Sequence, residues 1–159
     1  MSKAEITQKL LEELYEAWEK NTSCFLNQIC EEQQWNRDDF EEVVKSLEVK
    51  YLIESRGMGW NYKATTSGVL YIEEQGIVPR EKVATNRQTR NDILLALAKF
   101  RSEHGRNERI HFRKLCTDEG INDTLFLRNE RILCDQGLIR TITIGSFQIT
   151  DEGMRRVSG

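Results

Sequence analysis

The chain has 159 residues, 38% of them hydrophobic and 31% charged, and a net charge of −3. That balance describes a folded, highly charged protein and excludes a disordered one. No run approaches the ~18 apolar residues of a membrane helix, and Met1-Ser-Lys-Ala-Glu-Ile6 lacks the apolar core of a signal peptide, so a cytoplasmic protein with no membrane partner is expected.

Ile6 to Lys20 reads as an amphipathic helix, with Ile6, Leu10, Leu11, Leu14, Ala17 and Trp18 at helical spacing. A short helix is predicted over Phe25 to Gln33, and a third begins at the cap Asn36 and runs through Phe40, Val43, Val44 and Leu47 to Lys50. Tyr51 to Ser55 reads as a strand, Arg56 to Gly59 as a turn and Trp60 to Ala64 as the returning strand. Thr65 or Thr66 caps a short helix carrying Val69, Leu70 and Ile72. A polar stretch containing the only proline, Pro79, marks a boundary. The order then repeats. Helices are predicted over Arg90 to Glu103, over Phe112 to Glu119 and from a cap at Asn122 or Asp123. A hairpin follows from Leu138 to Ile149, turning at Gly145-Ser146, and Thr150 starts a closing helix.

The second half restates the first. Residues 26 to 53 align without a gap on 112 to 139, a shift of 86, with Cys30/Cys116, Asn36/Asn122, Phe40/Phe126, Leu47/Leu133, Leu52/Leu138 and Ile53/Ile139 identical. After one deletion, Tyr62 to Gly68 aligns with Phe147 to Gly153. Two copies of small-domain size point to tandem domains rather than a solenoid. The expected boundaries are 1–78 and 88–159, with 79–87 as a polar linker.

Charge separates the copies. Residues 1–84 hold 10 Lys+Arg against 16 Asp+Glu, whereas residues 85–159 hold 13 against 10. The first domain is therefore acidic and the second more basic, which bears on partners rather than on fold. The four cysteines form no C-x-x-C pair, and His104 and His111 are the only histidines. Cys30 and Cys116 read as small core residues, and no metal or other cofactor is expected. No Gly-x-Ser-x-Gly elbow, His-Glu-x-x-His helix or phosphate-binding loop occurs, so a non-enzymatic protein is expected.

Each copy ends its third helix in Leu-Ile (Leu52-Ile53, Leu138-Ile139). The hairpin that follows carries aromatic-x-apolar-Thr-x-x-Gly, at Tyr62 to Gly68 and Phe147 to Gly153. Together with three helices and a short capped helix, this resembles the winged helix-turn-helix domains of bacterial transcription regulators, broadly the MarR-like and PadR-like groups. The resemblance implies a mainly α (α+β) fold made of two tandem winged helix-turn-helix domains. Each would have three helices, a two-stranded wing and a short C-terminal helix. It also implies double-stranded DNA as a partner, in a regulatory role. Winged helices serve as protein-binding modules too, so the surface has to decide.

At about 100° per residue, Thr124, Arg128, Arg131 and Asp135 fall on one side of the second copy's third helix, opposite its apolar arc. In helix-turn-helix proteins such a stripe reads the major groove, and arginines suit guanine and phosphate. Thr124 is the candidate base reader and Arg128 and Arg131 the candidate base or phosphate contacts. Arg113, Lys114 and Arg140 are candidate phosphate grips, with Arg106 and Arg109 nearby. A solvated helix face is the ordinary alternative. Leu125 and Leu127 widen the apolar arc, for packing or for a homodimer. The first copy has Asp38, Glu42 and Lys45 at the aligned positions, which argues against groove binding there. Met58 and Trp60, on the first hairpin, are its candidate protein-partner residues, unless Trp60 folds back as a packing residue. The competing function is an adaptor that binds protein alone.

Overall fold

Six helix starts are fixed by side-chain caps. Ser2, Asn36, Thr65, His111, Asn122 and Thr150 accept from the backbone N–H of Glu5, Asp39, Gly68, Arg113, Leu125 and Gly153. These bonds satisfy N–H groups that have no partner within the helix. In the computed structural model, which describes residues 1–159, the chain is mainly helical with two small sheets, and it divides into two compact units, Met1–Arg80 and Glu81–Gly159.

The first unit contains α1 (Lys3–Glu19), β1 (Cys24–Phe25), α2 (Leu26–Gln33), α3 (Arg37–Val49), β2 (Ile53–Ser55), β3 (Asn61–Ala64) and α4 (Thr66–Glu74). Its strands form an antiparallel sheet in the order β1-β3-β2. Ile6, Leu10 and Leu14 on α1, Phe40, Val44 and Leu47 on α3, Tyr62 on β3 and Val69 on α4 are buried. One polar pair joins this interior: the Tyr15 hydroxyl donates to Glu73 Oε2 at 2.8 Å.

In the second unit, α5 (Arg80–His104) leads to β4 (Ile110–His111), α6 (Phe112–Glu119), α7 (Asp123–Asp135), β5 (Ile139–Thr143), β6 (Ser146–Ile149) and α8 (Asp151–Ser158). Its antiparallel sheet has the equivalent order, β4-β6-β5, with a bulge between Thr141 and Thr143. Ile93, Leu97, Leu115, Cys116, Phe126, Leu133, Phe147 and Ile149 belong to one core cluster. Cys30 and Cys116 are buried, as expected. No helix is long and apolar enough to cross a membrane.

The repeat is physical. From β1/β4 to α3/α7 the helix and strand bounds correspond at a shift of 86. The Thr-x-x-Gly element has the same function in both copies. The Thr65 and Thr150 N–H groups donate to Leu52 O and Leu138 O, each at 3.0 Å, so the chain passes directly over the strand start. A Cβ on Gly68 would lie 2.0 Å from Leu52 O, and one on Gly153 2.2 Å from Leu138 O, which is why both copies carry glycine there.

Two expectations are corrected. Residues 80–87 are not a connector, because α5 starts at Arg80, just after Pro79, and is ten residues longer at its N-terminus than its apolar pattern indicates. Apart from buried Val83 this extension has no apolar stripe, and the polar residues it buries are Asn86 and Thr89, followed directly by buried Arg90. Thr85 and Thr89 bond back to the carbonyls of Glu81 and Thr85 at 3.0 and 2.9 Å, keeping their hydroxyls satisfied within the helix. The second correction concerns β1 and β4, which make each hairpin part of a three-stranded sheet.

Candidate nucleic-acid interface

Asn122 caps α7, and Phe126 and Leu133 anchor it in the core, which fixes the azimuth of every other side chain on the helix. Phe126 packs between Phe112 of α6 and Phe147 of β6, with ring centroids 5.5 and 5.3 Å apart. The helix is therefore held from below, and its outer stripe is Thr124, Leu127, Arg131 and Asp135, all exposed.

Arg131 is the freest cation of this stripe. Its side chain is 74% exposed, and its 3.6 Å approach to Asp135 is an i,i+4 surface pair of little strength. Arg128 is different. It is half-buried, and its Nη1 donates to Asn86 Oδ1 at 3.4 Å. Arg128 thus borders the stripe and leans toward α5. Leu125 and Leu127 separate: Leu125 is half-buried and Leu127 exposed.

On α6, Arg113 and Lys114 are exposed in the first turn. The Arg113 guanidinium lies 5.8 Å from the centre of the Phe112 ring, and Lys114 Nζ is 3.1 Å from Asp118. Arg109 is exposed just before β4, whereas Arg106 and Arg101 both bind Asp151, at 2.5 and 3.0 Å.

Arg140 does not join this group. Ile139 and Thr141 pair across the sheet with buried Ile149 and Phe147, on the face that meets α7; there Thr141 Oγ1 lies 3.9 Å from Cys134 Sγ. Arg140 pairs with Gln148 on the opposite face and donates to its Oε1 at 3.0 Å, while Gln148 Nε2 donates to Asn107 O at 2.7 Å. The sequence cannot reveal this, since the face depends on strand register.

Behind the stripe, burial holds the Glu130 carboxyl above its ordinary range. The Cys134 thiol, which donates to it at 3.4 Å, is pushed up to about 11 by burial and by that carboxylate. Burial, with the neighbouring Asp123 carboxylate, raises Cys116 to about 12. Neither thiol is a nucleophile at neutral pH.

In the first unit, Met58 and Trp60 are not presented together. Met58 is 96% exposed at the hairpin turn. Trp60 folds back, its ring 5.3 Å from Phe40 and 6.4 Å from Tyr62, with the Arg37 guanidinium 5.0 Å from its centre. The outer stripe of α3 holds Asp38, Glu42 and Lys45, and Glu42 is ion-paired with Lys3.

The sequence reading missed Asn86 and Asn129, both completely buried. A signal was present: Asn129 stands where the first copy has Val43, a polar residue in an apolar register of the repeat. Among protein-family models, curated proteins and solved structures, the chain has no significant match.

Proposed function

We propose that this chain is a non-enzymatic regulatory protein of two winged helix-turn-helix domains that binds double-stranded DNA through α6 and α7 of its second unit. The element order in each unit, helix, strand, two helices, hairpin and helix, supports the domain reading. One observation carries the DNA reading. On one repeated scaffold, the second unit places Arg113, Lys114, Arg128 and Arg131 where the first has Asn27, Gln28, Glu42 and Lys45. The scaffold is kept while these four positions go from a net charge of 0 to +4, on the two helices that helix-turn-helix proteins lay on DNA.

In this reading α7 enters the major groove, Thr124 and Arg131 face base edges, and Arg128 contacts a base or phosphate from the border of the stripe. Arg113 and Lys114 hold the backbone, giving affinity without sequence preference. Arg140, on the far face of the hairpin, is left outside this surface.

The test is fluorescence anisotropy with a labelled random duplex at low and moderate salt, comparing the wild type with a folded Arg128→Glu/Arg131→Glu variant. Binding that weakens with salt and falls at least about 100-fold in the variant is expected. Absence of binding at the lowest salt overturns the reading. An adaptor that binds protein alone is the second reading, favoured by Met58 and Ile144, which stand 96% and 99% exposed at the two hairpin turns. Salt-insensitive partner capture, lost in Met58→Ser, is its signature.

A further inference from the structure

The outer stripe of α7 holds one side chain that charge does not explain. The core face of the helix is complete without it, since Phe126, Ile132 and Leu133 are at most 1% exposed. Leu127 lies on the outer side, 51% exposed, with exposed Thr124 three residues before it and exposed Arg131 four residues after. Side chains at those spacings are neighbours on a helix surface, so the leucine stands between a hydroxyl and a guanidinium.

A single exposed leucine is ordinary on a protein surface. The repeat makes this one informative. The first copy has Asp38, Glu41 and Lys45 at the positions of Thr124, Leu127 and Arg131, and Glu41 there is ion-paired with Arg37 at 3.0 Å. In the second copy both partners of that pair are replaced, Glu41 by Leu127 and Arg37 by Asp123. The water-facing ion pair is gone, and two carboxylates of the stripe have become side chains that carry methyl groups. The same change removes repulsion of phosphates and adds an apolar contact.

Leucine neither donates nor accepts a hydrogen bond, so in the major groove it gains only by covering apolar surface. The base-pair edges there offer one such group, the C5 methyl of thymine. A second copy of this chain fits the stripe less well: a stable dimer buries about 800 Å² per partner, and the neighbours of Leu127 along the stripe, Thr124, Arg131 and Asp135, are polar. We infer that Leu127 is a specificity-determining residue that packs on thymine methyl groups, so that the second unit prefers duplex rich in A·T pairs. The inference rests on the DNA reading above and names the sequence class that it selects.

The experiment is fluorescence anisotropy at low salt with two labelled duplexes, alternating dA·dT and the same duplex carrying deoxyuridine for thymidine, which lacks only the C5 methyl. Both present the same base steps in every register, so no operator has to be known. The wild type is expected to bind the thymidine duplex about four-fold more tightly. Leu127→Gln keeps the length and helix propensity of the side chain but has no methyl group, and it should bind the two duplexes equally while retaining its salt dependence. A hydrogen bond from the new amide to adenine would strengthen both complexes alike and leave their ratio unchanged. Equal wild-type affinities overturn the inference and leave the DNA reading intact, and that comparison needs no variant to fold. A preference that survives in Leu127→Gln and disappears in Thr124→Ser gives the methyl contact to the threonine and overturns it too. Self-association of the wild type that Leu127→Gln abolishes does the same, by assigning the leucine to a second copy. If neither duplex is bound at the lowest salt, the DNA reading falls and takes the inference with it.

Discussion

Single residues show how far the copies have diverged on one backbone. Two turns need a left-handed residue in both units: Gln34 (φ 55°) matches Gly120 (φ 69°), and Tyr51 (φ 58°) matches Gly137 (φ 73°). The second copy meets the requirement with glycine; the first forces a side chain into it. For an L-residue this conformation costs roughly 1–2 kcal/mol, partly offset because glycine loses more entropy on folding. Tyr51 is exposed, so deleting its ring removes little packing, and the bond its carbonyl accepts from Thr65 Oγ1 at 2.6 Å survives. Tyr51→Gly should therefore raise stability by about 1 kcal/mol in urea unfolding, and Gly137→Tyr should lower it by at least as much. A loss of stability in Tyr51→Gly would mean that the tyrosine ring contributes packing worth more than the strain.

At the scale of elements, legibility follows periodicity. Helices with an apolar stripe and a capping side chain, such as α3 and α7, are readable within a residue or two because both signals coincide. The first ten residues of α5 are not, since its buried side chains there are largely polar and a moment-like pattern never forms. β1 and β4 are two residues long, and only pairing with β3 and β6 defines them. A further tie is equally invisible. Asp151, in the first turn of α8, binds Arg101 at the end of α5 and Arg106 in the loop beyond it. The Arg101 hydrogen bond, then the charges of Arg106 and Arg101, hold its carboxyl below the ordinary aspartate range. Because the folded state lowers this pKa, the stabilisation is complete above the unfolded value of about 3.9 and disappears as pH falls through the lower folded value. Asp151→Asn should thus melt below the wild type at pH 7, and the gap should close on acidification below pH ~3.9. A gap of constant size would assign the loss to something other than ionisation.

At the scale of the whole molecule, the repeat and its charge asymmetry are legible in the sequence, and the structure adds which charges remain available. Residue type alone makes Thr124, Arg128, Arg131, Arg113, Lys114 and Arg140 look like one set. The geometry separates them, because Arg128 is tethered to a helix 42 residues away and strand register turns Arg140 from α7. If positive charge on this helix face is what recruits DNA, the acidic copy should be convertible. Asp38 and Glu42 are exposed on α3 at the positions of Thr124 and Arg128, so Asp38→Thr/Glu42→Arg raises the charge of that face by three without touching the core. Lys3 loses its Glu42 partner, a small cost for a surface pair. The variant should bind a random duplex several-fold more tightly at low salt than the wild type, with a salt dependence steeper by about one unit of slope. Should a folded variant bind no better, charge on this helix is not what brings DNA to the scaffold, and the adaptor reading gains the ground that the arginines of α7 now hold.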